Sequence, residues 1–178
     1  MSDYRRVFLP GGTYFFTVVL QDRGKDLLVR HIEALRDAVG VVRRRYPFEI
    51  IAWVVLPDHL HCMWKLPEGD TDYSNRWRLI KTIFSKKLPR SEFVSVRRKA
   101  RGERGVWQRR YWEHTIVDEK DLNSHLDYVH INPLKHGLVQ DLVSWPYSTF
   151  HRFVRDGVYS IDWNGEGLDF EPHPAEFL

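Results

Sequence analysis

Two histidines one residue apart, His59-Leu60-His61, sit inside the run Val54-Val55-Leu56-Pro57-Asp58-His59-Leu60-His61-Cys62-Met63-Trp64. The run has the pattern of strand, tight turn, strand. Side chains on a strand alternate faces, so His59 and His61 point the same way while Leu60 and Cys62 face a core. Two imidazoles side by side make half of a metal site, or a pair of acid/base groups. So short a motif is also compatible with two surface histidines that merely share a strand.

A second group of chemistry-bearing residues lies further along the chain. In a helix starting at Glu119, with about 100° per residue, Leu122, Leu126 and Val129 form the core stripe. Asp121, His125, Tyr128 and Asn132 fall together on a neighbouring stripe, within about 60° of one another. A solvated face would favour Lys and Glu. A row of Asp, His, Tyr and Asn suits a face turned to a site, although an ordinary amphipathic boundary would also produce it. Pro133 disfavours a helical conformation at Asn132. Asn132-Pro133 is therefore alternatively the N-cap and first position of a short new turn ending at Gly137.

If the helix passes the histidine pair, the chemistry is coherent. A phenol with a pKa of about 10 is a poor nucleophile when protonated. It attacks a phosphodiester only where something neutralises the phosphate and stabilises the leaving oxygen. A divalent cation on two imidazoles and one amide oxygen does both. Such a set suits Mn2+ and accepts Mg2+. Zinc fits the histidines but lacks a thiolate or carboxylate partner among these residues.

Charge is distributed unevenly. Between Arg76 and Arg110 there are thirteen Lys/Arg and two Asp/Glu, a local net charge of +11 in a chain of net +3. After Arg155 there is no Lys or Arg, but six acids occur: Asp156, Asp162, Glu166, Asp169, Glu171 and Glu176. A basic segment this dense usually marks contact with polyphosphate, most often nucleic acid; a solvated face or an open loop is the plainer alternative. Trp77, Phe84, Phe93 and Trp107 lie among these charges. They suit stacking on unpaired bases, or the core of a helix.

The elements that must position these groups follow from periodicity. Residues 13–20 form a β-rich strand. Residues 26–45 form a helix, with Leu28, Ile32, Leu35, Val39 and Val42 at three- and four-residue spacing. Residues 48–56 form a second strand, apolar without a break from Ile50 to Val55 and so central in a sheet. Pro57-Asp58 turns the chain into a third strand, 59–66. A second helix covers 74–88, a basic loop 89–105, a fourth strand 111–117, and a third helix runs from Glu119 to about Ile131, with Asp118 as its N-cap. The order β-α-β-β-α-β predicts an α+β, ferredoxin-like fold. It has an antiparallel four-stranded sheet with helices on one face, plus a C-terminal helix carrying Tyr128 and an extended acidic tail. The catalytic domain is expected over 1–143, and 144–178 forms a tail that is a candidate regulatory segment. No stretch approaches the roughly 18 to 20 apolar residues that span a bilayer, and the first residues lack a signal-peptide layout. A single cysteine, Cys62, excludes a disulfide framework. These features point to the cytoplasm, with no membrane partner.

Six segments in order resemble a known family. They are Tyr4-Arg5-Arg6 with Gly11-Gly12-Thr13; Leu56-Pro57-Asp58-His59-Leu60-His61-Cys62; Arg76-Trp77-Arg78; Trp107-Gln108-Arg109-Arg110-Tyr111-Trp112-Glu113-His114; Asp127-Tyr128-Val129-His130-Ile131-Asn132-Pro133; and Trp145-Pro146-Tyr147-Ser148. Over nearly its whole length the chain resembles the single-tyrosine HUH transposases of the IS200/IS605 type, and among them the REP-associated tyrosine transposases. The resemblance implies that His59 and His61 bind a divalent metal, Mg2+ or Mn2+, and that Asn132 is the third ligand where many relatives carry Gln. Tyr128 would be the nucleophile. It implies cleavage of single-stranded DNA near the foot of a REP-like hairpin, a 5′-phosphotyrosine, a free 3′-OH, and rejoining without ATP. On this basis Arg76, Arg78, Lys81, Arg109 and Arg110 are expected to contact the hairpin, and Arg5, Arg6, Gly12 and Thr13 to read a short guide sequence. His125 and His114 are candidates for orienting the site. Family members act as monomers or homodimers, and a nucleoid-associated cytoplasmic protein is expected. The acidic tail could fold over the basic surface. Two other functions remain compatible with the residues: a hairpin-binding protein without catalysis, and a metal-dependent phosphodiesterase that uses water.

Overall fold

The computed structural model describes residues 8–90, 96, 100–102 and 104–168. Strand β1, Thr13–Val19, is followed by a single-turn helix α1, Leu27–Arg30, and by α2, Ile32–Arg45. The helix expected over 26–45 is thus interrupted at His31, whose backbone (φ −115°, ψ 38°) leaves the helical region. Strands β2, Glu49–Val55, and β3, His59–Lys65, form a hairpin, and α3, Tyr73–Lys87, comes next. Strand β4, Trp112–Thr115, leads into α4, Glu119–Lys135. A 3-10 turn, Leu142–Ser144, and α5, Phe150–Arg155, follow.

The strands pair antiparallel in the order β2-β3-β1-β4, the ferredoxin-like arrangement expected. Both sheet faces are covered. On one, Phe16, Val18, Leu60, Cys62 and Trp64 pack with Leu35 and Ala38 of α2 and Trp77, Ile80 and Phe84 of α3. On the other, Phe15, Ala52, Val54 and Met63 pack with Leu126 and Val129 of α4. Double coverage explains why β1 and β2 read as almost unbroken apolar runs rather than alternating ones. Trp77, Phe84 and Trp107 are core residues, Trp77 stacking on Trp64 with centroids 4.4 Å apart.

Asp118 caps α4, its Oδ1 accepting from the Asp121 N–H at 2.8 Å. The reciprocal bond of the capping pair is shifted by a residue: the Asp121 carboxylate accepts from the Val117 N–H at 3.0 Å. The helix does not stop at Ile131. It continues through Pro133 to Lys135 and ends in a Schellman cap, with Leu138 N–H donating to Pro133 O, Gly137 N–H donating to Leu134 O, and Gly137 at φ +65°. Asn132 is therefore inside α4 rather than an N-cap. The bias against helix before proline is overridden because Asn132 is fully buried and its side chain bonds back into the helix.

The described part of the tail, residues 144–168, packs on the sheet and on α4. Val55 N–H donates to Tyr147 O, and Thr149 N–H to Trp53 O, each at 2.8 Å, so this segment covers the open edge of β2. Phe150 packs with Ile131 and Leu142 beyond it. Asp169, Glu171 and Glu176 lie outside the described residues, as do Arg5 and Arg6. Among the described residues no helix is long and apolar enough to cross a membrane.

Candidate active site

Strand alternation puts His59 and His61 on the α4 side of β3, with ring centroids 5.0 Å apart. Both are buried, at 4% and 0% exposure. Each ring is oriented by an oxygen on Nδ1. Thr17, directly across from His61 in the β1–β3 register, places Oγ1 2.8 Å from His61 Nδ1. Asp58 Oδ1 lies 2.7 Å from His59 Nδ1, and Arg23 Nε donates to Asp58 Oδ2 at 3.0 Å. Burial opposes the charge on Asp58, but hydrogen bonds and charge from His59 and Arg23 outweigh it and hold the carboxyl at about 2. Asp58 is thus ionised at neutral pH and accepts the Nδ1–H of His59. With both Nδ1 atoms held by protein oxygens, any coordinating role falls to the Nε2 atoms, the carboxylate–histidine pattern typical of ligating imidazoles.

Helix α4 brings Tyr128 to this pair. Its ring lies 5.1 Å from that of His61, edge to face, and 5.8 Å from Phe15. One turn on, Asn132 donates Nδ2 to the Tyr128 carbonyl, while its Oδ1 is buried without a hydrogen-bond partner. A buried acceptor left unsatisfied costs about 1–3 kcal/mol, so native structures keep one where something else is to be bound. A carboxamide oxygen and two imidazole nitrogens form a mixed set that suits Mn2+ or Mg2+. The donors present therefore fit the metal that the histidine pair implies.

Two further residues also reach this cluster. Lys135 Nζ sits 5.0 Å from the centroid of the Tyr128 ring, and the His136 ring is 5.0 Å from that of His59. Seven residues are almost two whole turns, so Lys135 lies on the Tyr128 stripe. That spacing was the available signal, and ending the helix at Ile131 concealed it.

His114 and His125 face the same side of the sheet but gather around Asp121. His114 Nε2 is 2.9 Å from Asp121 Oδ2, His125 Nδ1 is 2.9 Å from Asp121 Oδ1, and the two rings stack at 4.6 Å. The ring of Phe15 lies beside His125 at 4.8 Å and beside His61 at 5.8 Å.

On the opposite layer, α3 and the segment before β4 border a groove of about 700 Å3 whose cations include Arg78, Lys81, Lys86, Arg90, Arg101 and Arg109. Lys81 Nζ lies over Tyr111 at 5.2 Å and over Trp107 at 5.8 Å. Arg110 is exposed next to the groove residue Arg109. Arg76 departs from expectation. It is 2% exposed, pairs both terminal nitrogens with the Asp70 carboxylate, and donates to the carbonyls of Tyr46, Pro47 and Asp72. Its face of α3 points into the core, so its charge serves the fold and not a DNA surface. Gly12 shapes the turn before β1: its N–H donates to Leu9 O, its carbonyl accepts from Leu66 N–H, and a Cβ there would meet Leu9 O at 2.9 Å. Thr13 starts β1, its carbonyl accepting from the Ile116 N–H.

Comparison with known proteins places this arrangement in context. Residues 11–132 match the family described as transposase IS200 like. The chain is 50% identical over 170 residues to the REP-associated tyrosine transposase of Escherichia coli (strain K12), covering 96% of this chain and 95% of that one. A Haemophilus influenzae protein is 50% identical over 167 residues, covering 93% and 94%. A solved structure of a REP-associated tyrosine transposase bound to a REP hairpin superposes with a TM-score of 0.81, at 50% identity and 96% coverage of both chains.

Proposed function

The chain belongs to the IS200-like transposase family, among its REP-associated tyrosine transposases, and from that premise we propose that it cuts and rejoins single-stranded DNA at REP-like hairpins through a covalent bond to Tyr128. As a family member it is an enzyme, an endonuclease and strand transferase. The observation that carries the proposal is the 5.1 Å approach of the Tyr128 ring to His61. The neighbouring relative bound to a REP hairpin supports the substrate class.

In the proposed reaction the phenolic oxygen of Tyr128 attacks the scissile phosphorus. A Tyr–O–P bond forms as the P–O3′ bond breaks. The phenol proton leaves to solvent and the departing 3′-oxygen gains one. One phosphoester replaces another, so rejoining by a 3′-OH needs no added energy source. His59, His61 and Asn132 would hold Mg2+ or Mn2+, which supplies neutralisation of phosphate charge and of the leaving oxygen. Asp58 and Thr17 fix the two imidazoles, and Phe15 walls the site beside Tyr128. His125 and His114 steady the turn of α4 that precedes Tyr128. Arg78, Lys81, Arg109 and Arg110 hold the phosphates of the hairpin stem, with Arg5, Arg6 and the Gly12-Thr13 turn beside the guide nucleotides. The working unit is a single chain, because Tyr128 and the histidine pair meet within one chain. It acts in the cytoplasm, at the nucleoid.

The test is a single-stranded REP-like hairpin incubated with the protein and Mn2+ or Mg2+, then run on a denaturing gel. A covalent protein–oligonucleotide band is expected, and Tyr128→Phe abolishes it while hairpin affinity stays within about twofold. Cleavage without a covalent band would instead establish attack by water.

A further inference from the structure

His114, Asp121 and His125 form a second constellation of metal-binding groups, set apart from the histidine pair. Their ligand atoms lie within 4.8 Å of one another. The three come from two successive elements. His114 is on β4, in register with Phe15 of β1, and Asp121 and His125 are one turn apart on α4. The carboxylate lies between the two imidazoles at 2.9 Å from each, and the rings stand parallel within 10°. Phe15 lies between the two groups, in contact with His125 on one side and with His61 on the other. The cluster is half-buried, opening on the side of His114.

We propose that His114, Asp121 and His125 bind a second divalent transition-metal ion, of the zinc class, distinct from the ion of the cleavage site. The donor sets separate the two. Two imidazoles with a carboxylate suit Zn2+, Co2+ or Ni2+, whereas two imidazoles with a neutral amide, as at His59, His61 and Asn132, leave a harder ion competitive. The carboxylate is already oriented from behind by the Val117 N–H, the outer-shell support that ligating carboxylates usually have. Binding asks that each imidazole carry its N–H on the nitrogen turned away from the ion, so His125 Nδ1 exchanges its hydrogen bond to the Asp121 carbonyl, 2.9 Å away, for the ion. An open coordination position on the His114 side would be filled by water. The ion would tie β4 to the first turns of α4, the helix that carries Tyr128.

The test is metal stoichiometry of the full-length protein, without DNA, so it is independent of whether the protein cleaves. Equilibrium dialysis against Zn2+ should give two tightly held equivalents in the unmodified protein. His59→Ala with His61→Ala should retain one, and its Co2+ form should show the d–d absorption of a nitrogen-ligated ion. His114→Gln with His125→Gln should also retain one. Should that variant fail to fold, Asp121→Asn replaces it and should lose one equivalent. A single equivalent in the unmodified protein that survives the His114/His125 or Asp121 changes overturns the proposal. So does loss of all zinc from the His59/His61 variant, or two equivalents retained after the His114/His125 or Asp121 changes.

Discussion

At the scale of single residues, the proposed cleavage site depends on groups that aim other groups. Asp58 touches no substrate in the proposed reaction, yet it sets which nitrogen of His59 carries a proton. Asp58→Asn is expected to weaken Mn2+ affinity and adduct formation by about 10–100-fold, measured by metal titration and by the rate at which the covalent band appears. Lys135 places its cation over the ring of Tyr128, the proposed nucleophile. Lys135→Met should slow adduct formation by at least about tenfold with hairpin affinity little changed, and Lys135→Arg should restore part of the rate. An unchanged single-turnover rate in the methionine variant would assign Lys135 to the surface alone.

At the scale of elements, α4 is the part on which everything converges, and its far side is tied down as firmly as its site side. His130 is fully buried, 2.9 Å from Thr149 Oγ1 and 3.4 Å from the Tyr159 hydroxyl, and Tyr159 donates to Asp127 at 2.7 Å. Burial, reinforced by the charge of Arg152, lowers His130 to about 3. It is therefore neutral in the folded protein, whereas the unfolded chain protonates it near the usual value of about 6.5. Below that value the unfolded state binds the extra proton, so stability is full above about pH 6.5 and falls as pH drops toward 3. Melting temperature should decline over this window, and His130→Leu should flatten the decline. The same variant should lose about 1–3 kcal/mol at pH 8, because Thr149 loses a buried partner. A variant with the unmodified protein's acid slope would mean that His130 is not the titrating group.

At the scale of the molecule, charge and chemistry lie on different layers. The basic groove borders α3, the tyrosine is carried by α4 on the other face, and β4 is an edge strand of the sheet that separates them. A hairpin stem in the groove would deliver its single-stranded flank around that edge. Hairpin affinity should fall steeply with salt, and Arg78→Ala or Arg109→Ala should each reduce the log–log salt slope by about one. Arg76→Ala should behave differently. It removes the cation paired with Asp70 and the hydrogen bonds donated to three carbonyls, so it should cost about 3 kcal/mol or more in stability. Its salt slope should be unchanged in whatever protein remains folded.

How much of this was legible beforehand depended on the range of the interaction. The two-residue period of β3 put His59 and His61 on one face, and the helical period put Asp121, His125, Tyr128 and Asn132 on one stripe. Both are properties of a dozen neighbouring residues, so the chain alone determined them, along with the β2–β3 hairpin, whose connection is short. Only the tertiary structure decided that α4 covers the second sheet face, because that choice is made by Phe15, Ala52, Val54 and Met63, which come from three different strands, β1, β2 and β3. Packing also carried α4 past Pro133, which local propensity argued against, and so delivered Lys135 and His136 to the site. The same long-range competition turned Arg76 inward while its neighbour Arg78 stayed out. A guanidinium's charge is visible in sequence, but whether carbonyls from distant segments will enclose it is settled only when those segments meet.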